Sequence, residues 1–278
     1  MQAPATPFNR FVFCSRPIFL GRVIATVLVM ALAMVLVMAL VMELVLFPST
    51  AAAMGQVDNS IYARLLGQHV KKNRVDYDGF KREEALLDRY LSILSATDVN
   101  RLSHNDRFAF YINAYNAFTI KLILTKYPGI NSIKEIGSFF SNPWNQKFIS
   151  LDGQTISLDT IEHEFLRPVF KDPRIHFAIN CASKGCPPLL NKPYEGQTLE
   201  VQLNTVTRAF INDPKRTFLK DNTLFVSKLF KWFEEDFKDA PLLFIRQYAT
   251  AEFKKKLDRA DPQIKLSYLY YDWTLNRL

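Results

Sequence analysis

The sequence predicts an α+β fold in which several amphipathic helices pack on a small, mainly antiparallel sheet. Three observations lead to this prediction. Helical periodicity recurs along most of the chain after residue 54, two pairs of short β-prone segments flank two-residue turns, and helices and hairpins follow one another without the regular spacing of parallel βαβ units. With 278 residues, 49% of them hydrophobic, and only 9 glycines, the chain can bury a substantial core.

The first 53 residues are predicted to be a signal peptide or a signal anchor. Three arginines precede an uncharged apolar run, 23–42, and a small-residue box follows at 51–53. The run is long enough to span a bilayer, whereas the box is typical of a cleavage site, and both alternatives stay open. In either case the arginines predict that 54–278, a single globular domain, lies outside the cytoplasm, in the periplasm or secreted. An uncleaved segment would attach this domain to the membrane.

Helix boundaries in the domain are predicted from caps and turn residues. Apolar side chains recur at helical spacing in every predicted helix. Start signals precede four of them: Asp58, the capping box Ser103–Asp106, Asp159 and Ser227. Prolines mark the ends of the third and fourth helices. The predicted helices are, in chain order, 58–72, 81–96, 103–126, 160–170, 199–211, 228–237 and one or two between 241 and 257.

The strands are predicted from alternating patterns and turn chemistry. Short β-prone segments on both sides of Asp152-Gly153 form one hairpin, and a second pair flanks Asp221-Asn222. The apolar segment 174–181 is predicted to be a buried strand that leads into a loop with Gly and Pro residues. The closing segment 264–276 alternates enough for a further strand.

The segment that follows the fourth helix contains the candidate chemistry. Alternation along its predicted strand puts Cys181 on the apolar face and His176 on the opposite face, while Cys186 lies in the loop beyond. A cysteine nucleophile needs a base and a group that orients the base. We therefore predict Cys186 as the nucleophile, His176 as the base and Glu162 as the orienting group. Cys181 is predicted to pack as a small hydrophobe, or to form a disulfide with Cys186 in an oxidising compartment.

Four further side chains are candidates for substrate binding or for stabilising an oxyanion: Asn113, Asn116, Asn180 and Arg167. Asn113 and Asn116 stand three residues apart in an apolar helix and share a face. Because Asn is a poor helix former, the pair indicates recruitment for hydrogen bonding. The alternative is that both amides satisfy buried backbone groups of a neighbouring loop.

The sequence lacks the patterns that would indicate several other functions. The net charge of +8 is spread along the chain and accompanies no nucleic-acid-binding motif, so no nucleic acid partner is expected. No zinc-ligand spacing, G-x-S-x-G turn or phosphate-binding loop occurs, and we expect neither a metal nor a cofactor. The expected partner is a small-molecule or peptide substrate of unidentified structure.

Four motifs in order along the chain resemble the domain-of-unknown-function family 547: Asn113–Ala117, Ser157–His163 with Leu166-Arg167, His176–Ser183 with Cys186-Pro187, and Tyr271–Asn276. The resemblance extends from about Asp58 to the last residue. It implies no established activity. Bacterial members often carry an export signal, which agrees with the N-terminus here. Plant relatives carry the domain behind a leucine zipper, which suggests an interaction role, and this chain has no such zipper pattern.

Two hypotheses from different classes follow. The first is an exported enzyme, a cysteine-nucleophile hydrolase or transferase that acts on an amide, thioester or peptide-like bond. A relation of the family to papain-like enzymes or thiol hydrolases is a conjecture in the same direction. The second is a non-catalytic binding domain with a disulfide between Cys181 and Cys186. Thiol–disulfide exchange ranks last, because C-x₄-C lacks the spacing of the usual redox pair.

Overall fold

The computed structural model describes four stretches of the chain, residues 28–38, 55–137, 142–260 and 263–278. The chain divides into two units, Met1–Ala53 and Met54–Leu278. In the first unit residues 28–38 are helical, and the rest of the predicted signal or anchor lies outside the described residues. Among the described residues, no helix combines the length and the apolarity that crossing a bilayer requires.

The second unit is an α+β fold, as predicted. Its α-helices are, in chain order, α1 (Ser60–His69), α2 (Tyr77–Arg82), α3 (Glu84–Ala96), α4 (His104–Leu124), α5 (Leu158–Thr160, Ile161–Leu166 and Arg167–Phe170 in succession), α6 (Leu199–Ile211), α7 (Leu229–Trp232), α8 (Pro241–Tyr248) and α9 (Ala251–Arg259). Short 3₁₀ segments are Val99–Arg101, Ile133–Ile136, Pro143–Asn145, Pro173–Phe177 and Glu234–Phe237. The strands are β1 (Val70–Lys71), β2 (Arg74–Val75), β3 (Ile149–Leu151), β4 (Gln154–Ile156), β5 (Thr217–Lys220), β6 (Thr223–Val226) and β7 (Lys265–Tyr268).

The strands of the described stretches form three small sheets, so the prediction of one sheet is wrong. β1 pairs with β2 and β3 with β4, both antiparallel, and β5–β6–β7 form a mixed sheet in which β6 and β7 run parallel. Both predicted hairpins are confirmed. Their turns have positive φ at both central residues, Asp152 and Gly153 in one and Asp221 and Asn222 in the other, which is the twist that two-residue hairpins favour. Each hairpin closes locally and packs on helices.

Two hydrophobic clusters make up the core. The first surrounds α4, in which nearly every residue from Phe108 to Leu124 is buried. The second lies among α6, α8, β6 and the segment after α7. The segment that carries the cysteines belongs to both, because Ala178 and Ile179 pack in the first cluster and Phe177 and Cys181 in the second. The candidate chemistry is therefore positioned between two packed cores.

α5 contains a π-helical stretch. Ser157, and not the predicted Asp159, caps the helix, since its Oγ accepts a hydrogen bond from the Thr160 N–H. From Ile161 to Leu166 the backbone is π-helical, and the Arg167 N–H donates to the Glu162 carbonyl five residues back. The next residue, Pro168, has no N–H to continue an α-helical ladder. π-helical stretches are rare and occur often at functional sites.

The predicted strand 174–181 is wrong. The chain instead forms the 3₁₀ segment Pro173–Phe177 and then an irregular loop. Asp172 starts this turn by accepting a hydrogen bond from the Arg174 N–H, and Ala178 and Ile179 both donate to the Ile175 carbonyl. A short apolar run that is buried on all sides does not show by its periodicity whether it is a strand or a turn.

The closing strand is shorter than predicted. β7 ends at Tyr268, and the chain after it is extended without a continuous strand partner. Leu275 donates to the Asn131 carbonyl and Asn276 to that of Ala182. The final residues are thus fixed against the loop that carries the cysteines.

Candidate active site

Two asparagine side chains determine the shape of the loop that carries the cysteines. The amide of Asn116 donates to the Ala178 carbonyl (3.0 Å) and accepts from the Asn180 N–H (2.7 Å). Asn180 in turn donates to the Pro187 carbonyl (2.7 Å) and accepts from the Ala182 N–H (2.9 Å). Because these backbone groups are buried and have no sheet partner, the amides replace a strand neighbour. They brace both ends of the loop.

Asn113 acts in the same way on a different loop. Its amide donates to the Tyr194 carbonyl and accepts from the Tyr194 N–H, each at 2.8 Å. Asn113 and Asn116 therefore satisfy buried backbone groups of neighbouring loops, which is the alternative that the sequence left open.

The segment that follows β7 forms the other side of the loop. Lys184 donates to the Thr274 carbonyl and Gly185 to the Asp272 carbonyl, both at 2.8 Å. Gly185 passes so close to the Tyr271 ring that an added Cβ would lie 2.9 Å from its Cδ1. This close approach brings the Tyr271 hydroxyl to the thiol of Cys181.

Cys181 is the more accessible of the two thiols and the better hydrogen-bonded. Its Sγ lies 3.2 Å from the Tyr271 hydroxyl and 3.3 Å from the Ser183 hydroxyl. Burial acts to raise the pKa of Cys181, but hydrogen bonds from Cys186, Ser183 and Tyr271 outweigh it and lower the pKa to about 7. A thiol with such a pKa is substantially ionised at neutral pH.

Cys186 lies deeper than Cys181 and is buried. Its Sγ accepts a hydrogen bond of 2.9 Å from the backbone N–H of Cys181. Burial raises the pKa of the Cys186 thiol, and so does the neighbouring Cys181. Both cysteines are free thiols in the structure, so the disulfide of the alternative hypothesis is absent from this described segment. Cys186 is thus suited to donate to Cys181 rather than to react itself.

Glu162 is a buried carboxyl group in the π-helical part of α5. Tyr115 of α4 lines the same cavity as Glu162, and its hydroxyl acts to lower the pKa of this carboxyl group. Burial raises the pKa of Glu162 to about 8, and the proximity of Cys181 adds to the effect. At neutral pH the carboxyl group is therefore mainly protonated, while the thiol beside it is partly ionised.

His176 pairs with an acidic side chain that the sequence analysis did not select. Its Nε2 lies 2.6 Å from Asp236 Oδ2, and its ring stacks on Phe233 with the ring centroids 3.9 Å apart. Burial lowers the pKa of His176, so the imidazole is neutral with Nε2–H donating to the carboxylate. The buried Nδ1 has no hydrogen-bond partner in the described stretches.

Arg167 holds Asp236 in position for His176. Its Nε donates to Asp236 Oδ2 at 2.6 Å, its Nη2 to Oδ1 at 3.0 Å, and the guanidinium also pairs with Glu235. The hydrogen bonds with His176 and Arg167 outweigh burial and keep the pKa of Asp236 well below its usual range. Arg167 is consequently engaged in ion pairs.

One cavity of about 270 Å³ brings several of the predicted residues together. It is lined by Tyr115, Asn142, Trp144, Asp159, Glu162, His163, His176, Ile179, Cys181, Cys186, Pro187, Leu229, Trp232, Phe233, Tyr271 and Trp273. The four residues predicted as nucleophile, alternative nucleophile, base and orienting group all line it. Asn113, Asn116, Asn180 and Arg167 do not. Among the described residues, no three or more His, Cys, Asp or Glu side chains are grouped as metal ligands.

Three residues of the site escaped the sequence analysis as functional groups: Tyr115, Tyr271 and Asp236. Tyr115 and Tyr271 fall inside two of the four motifs. Tyr115 lies two residues after Asn113, and Tyr271 is the first residue of the closing motif. The hydroxyl group in each motif was the available signal. Asp236 stands in an acidic run, Glu234-Glu235-Asp236, without any feature that separates it from its neighbours.

The family described as "Protein of unknown function, DUF547" matches residues 99–211. The match confirms the predicted resemblance to this family over the matched segment. The matched segment contains Glu162, His176 and both cysteines of the cavity, whereas Asp236 and Tyr271 lie outside it. No curated protein matches the chain, and no solved structure does.

Proposed function

We propose that the domain is a thiol-dependent hydrolase or transferase that acts on an amide, thioester or peptide-like bond, with Cys181 as the nucleophile. The observation that carries this proposal is the environment of Cys181 Sγ. It is hydrogen-bonded to the hydroxyls of Tyr271 and Ser183 at the wall of a cavity that Glu162 and His176 also line. Cys186, the nucleophile expected from the sequence, is buried with a raised pKa, and the geometry favours Cys181.

The first step is attack of the Cys181 thiolate on the substrate carbonyl, which forms a C–S bond. The carbonyl oxygen becomes an oxyanion, and the Tyr271 O–H beside the sulfur is a donor for it. When the bond to the leaving group breaks, the protonated Glu162 gives its proton to the leaving amine, alcohol or thiol. A carboxyl group with a pKa of about 8 is close to the value that suits proton transfer at neutral pH.

The second step returns the enzyme to its starting state. Water, or a second substrate in a transfer reaction, attacks the acyl-cysteine, and the Glu162 carboxylate takes the proton of the attacking group. The C–S bond breaks and the Cys181 thiolate is regenerated. His176 takes part as a binding group: its unpartnered Nδ1 accepts a hydrogen bond from a substrate or water donor, while Asp236 fixes the ring.

The experiment uses p-nitrophenyl acetate as an acyl donor and mass spectrometry of the intact protein. We expect a burst of nitrophenol and an acetyl adduct on Cys181. Cys181→Ala abolishes both, whereas Cys186→Ala retains the adduct at a reduced rate because one hydrogen bond to the thiolate is lost. An adduct on Cys186 in the wild-type protein, or equal labelling of both cysteines at the rate of the unfolded chain, contradicts the proposal.

A second candidate is the non-catalytic binding domain with a disulfide between the two cysteines. It is favoured by the hydrogen bond of 2.9 Å from the Cys181 N–H to Cys186 Sγ, which places the two residues next to each other. Mass spectrometry of the non-reduced protein distinguishes the two functions. A mass two hydrogens short together with resistance to alkylation supports the binding domain, and two alkylatable thiols support the enzyme.

Export of the domain is part of the same proposal. It is supported by the three arginines and the apolar run that precede residue 54. Fractionation of expressing cells tests it. Recovery of the domain in the extracytoplasmic fraction, or with membranes through 23–42, agrees with it, and recovery in the cytoplasm alone contradicts it.

A further inference from the structure

The cavity contains an acidic side chain that the proposed reaction does not use. Asp159 lies in the first turn of α5 and lines the cavity. Burial raises the pKa of its carboxyl group, although the N-terminus of a helix favours a negative charge. Across the described ranges, Asp159 has neither a hydrogen-bond nor an ion-pair partner. A half-buried carboxylate, with His163 as the neighbour that acts to lower its pKa, therefore faces the space that a substrate would fill.

Aromatic rings form one wall of the same cavity. Trp144 and Trp273 pack edge to face with centroids 5.6 Å apart, and Trp232 lies 5.7 Å from Trp273. One of these rings already makes a cation–π contact within the protein, since the ammonium of Lys134 lies 3.9 Å from the Trp273 ring centroid. The faces of tryptophan rings attract ammonium and guanidinium groups more strongly than those of other aromatic side chains.

The ionised side chains that line the cavity carry negative charge. No Lys or Arg is among the described residues that line it. The nearest guanidinium on α5, that of Arg167, is engaged with Asp236 and Glu235. Ionised Cys181 adds a second negative charge, and Glu162 and His176 are neutral. An anionic group beside Asp159 would thus be repelled, whereas a cationic group gains both an ion pair and aromatic contacts.

We propose that Asp159 and the tryptophans form a subsite for a primary ammonium or guanidinium group of the substrate. This subsite rests on the proposed function, because its ligand is a cationic substituent of the acyl compound that Cys181 attacks. Asp159 precedes Glu162 by three residues, about 4.5 Å along a helix axis. The cation is therefore bound about one helical turn from the group that protonates the leaving group.

The test compares three methanethiosulfonate reagents that differ in charge: aminoethyl (cationic), methyl (neutral) and sulfonatoethyl (anionic). In each, the Cys181 thiolate forms an S–S bond with the reagent and methanesulfinate departs with the electron pair. Rates are divided by those for glutathione. We expect a cationic-to-neutral preference on the order of tenfold, which Asp159→Asn removes while the rate with the neutral reagent is kept. Glu164→Gln, an equal change of charge at an exposed position of α5, keeps the preference.

A second measurement separates this proposal from the proposed function. In Cys181→Ser, tryptophan fluorescence is titrated with n-butylammonium chloride and, as a neutral control, with n-butanol at matched ionic strength. Saturable quenching by the ammonium salt alone, lost on Asp159→Asn, supports the subsite even if no thiol chemistry is found. Equal rates for the three reagents, or no preference for the ammonium over the alcohol, overturns it even if Cys181 is acylated as proposed.

Discussion

The Tyr271 hydroxyl lies 3.2 Å from Cys181 Sγ, although 90 residues separate them in the chain. Together with Cys186 and Ser183, this phenol offsets the burial of the thiol and keeps its pKa near 7. Two of the four motifs that characterise the chain meet at this contact.

Tyr271→Phe is expected to raise the pKa of the Cys181 thiol. The change removes one hydrogen bond that favours the thiolate and leaves the burial that opposes it. The measurement is the rate of iodoacetamide alkylation against pH, with Cys181 identified by mass spectrometry, and the midpoint should move upward from about 7. Tyr270→Phe is the matched control, because the side chain of Tyr270 is 87% exposed. An unchanged midpoint in Tyr271→Phe would refute the assigned role.

Glu162→Gln is expected to stabilise the protein at neutral pH. The folded-state pKa of Glu162 is about 8, whereas an unfolded Glu titrates near 4.3. The folded state binds more protons between these values, so its stability falls as pH rises from about 4 to about 8. Gln has no proton to lose, and the gain at neutral pH has an upper limit of about 4 kcal/mol.

Urea unfolding at several pH values measures this gain. The gain in the free energy of unfolding should shrink toward pH 4, where Glu162 is largely protonated in both the folded and the unfolded state. Glu164→Gln, on the exposed side of α5, should change the free energy of unfolding by no more than about 0.5 kcal/mol. A Glu162→Gln variant that is less stable than the wild-type protein at neutral pH would show that the carboxyl group is ionised there. In acyl transfer the same variant should be strongly impaired.

Asp236→Asn is expected to destabilise the protein, because it removes the charge shared by His176 and Arg167. The carboxylate is partly exposed and screened by solvent, so a loss of about 2 kcal/mol at neutral pH is expected. The pKa of Asp236 is lowered in the folded state, which means that its contribution is present above the unfolded pKa of about 3.9 and is lost as pH falls below it. The difference between wild type and variant should therefore vanish in acid.

Glu235→Gln is the control for this change. Glu235 pairs with the same guanidinium, but its side chain is 76% exposed, and exposed pairs contribute between 0 and about 1 kcal/mol. Both variants are compared by thermal and denaturant unfolding. Equal losses for the two would show that Asp236 acts only as a surface partner of Arg167.

Gly185→Ala is expected to disturb the cavity. The new Cβ would lie 2.9 Å from Tyr271 Cδ1 and 3.0 Å from the Asp272 nitrogen, so the Tyr271 ring or the backbone must shift away from Cys181. We expect slower alkylation of Cys181 and a loss of stability of about 1–3 kcal/mol. Gly67→Ala provides the contrast, since its Cβ would meet no atom within 4 Å in α1, and should stabilise the helix by about 0.5–1 kcal/mol. Unchanged reactivity in Gly185→Ala would indicate that the ring is not held by this approach.

Local signals were sufficient for much of the fold. α6 has the predicted bounds Leu199–Ile211, and the hairpin β5–β6 forms around the predicted turn Asp221-Asn222, because periodicity and turn residues act over short distances. The capping box at Ser103 is confirmed, with its Oγ accepting from the Asp106 N–H. The number of sheets and the parallel pairing of β6 with β7 depend on contacts between distant segments, which periodicity does not encode.

The candidate site was likewise predictable from local signals but not in its contacts between distant segments. Residue types and spacing selected Glu162, His176 and the two cysteines, and all four line one cavity. The prediction that Cys181 and His176 lie on opposite faces of a strand was wrong, because it assumed strand alternation in a segment that is a 3₁₀ turn followed by a loop. Asp236 could not be paired with His176 from the sequence, since the contact spans 60 residues and only the tertiary fold selects one carboxylate of three in a row.

The contact between Cys181 and Tyr271 has a consequence for biosynthesis. Translation is vectorial, and domains acquire their packing as the chain emerges. Cys181 leaves the ribosome long before Tyr271 is made, and until the segment 271–276 docks on the loop, its thiol lacks the phenol that favours ionisation. The nascent polypeptide therefore carries an ordinary cysteine, and the Cys181 thiol acquires its lowered pKa only when the closing segment is in place.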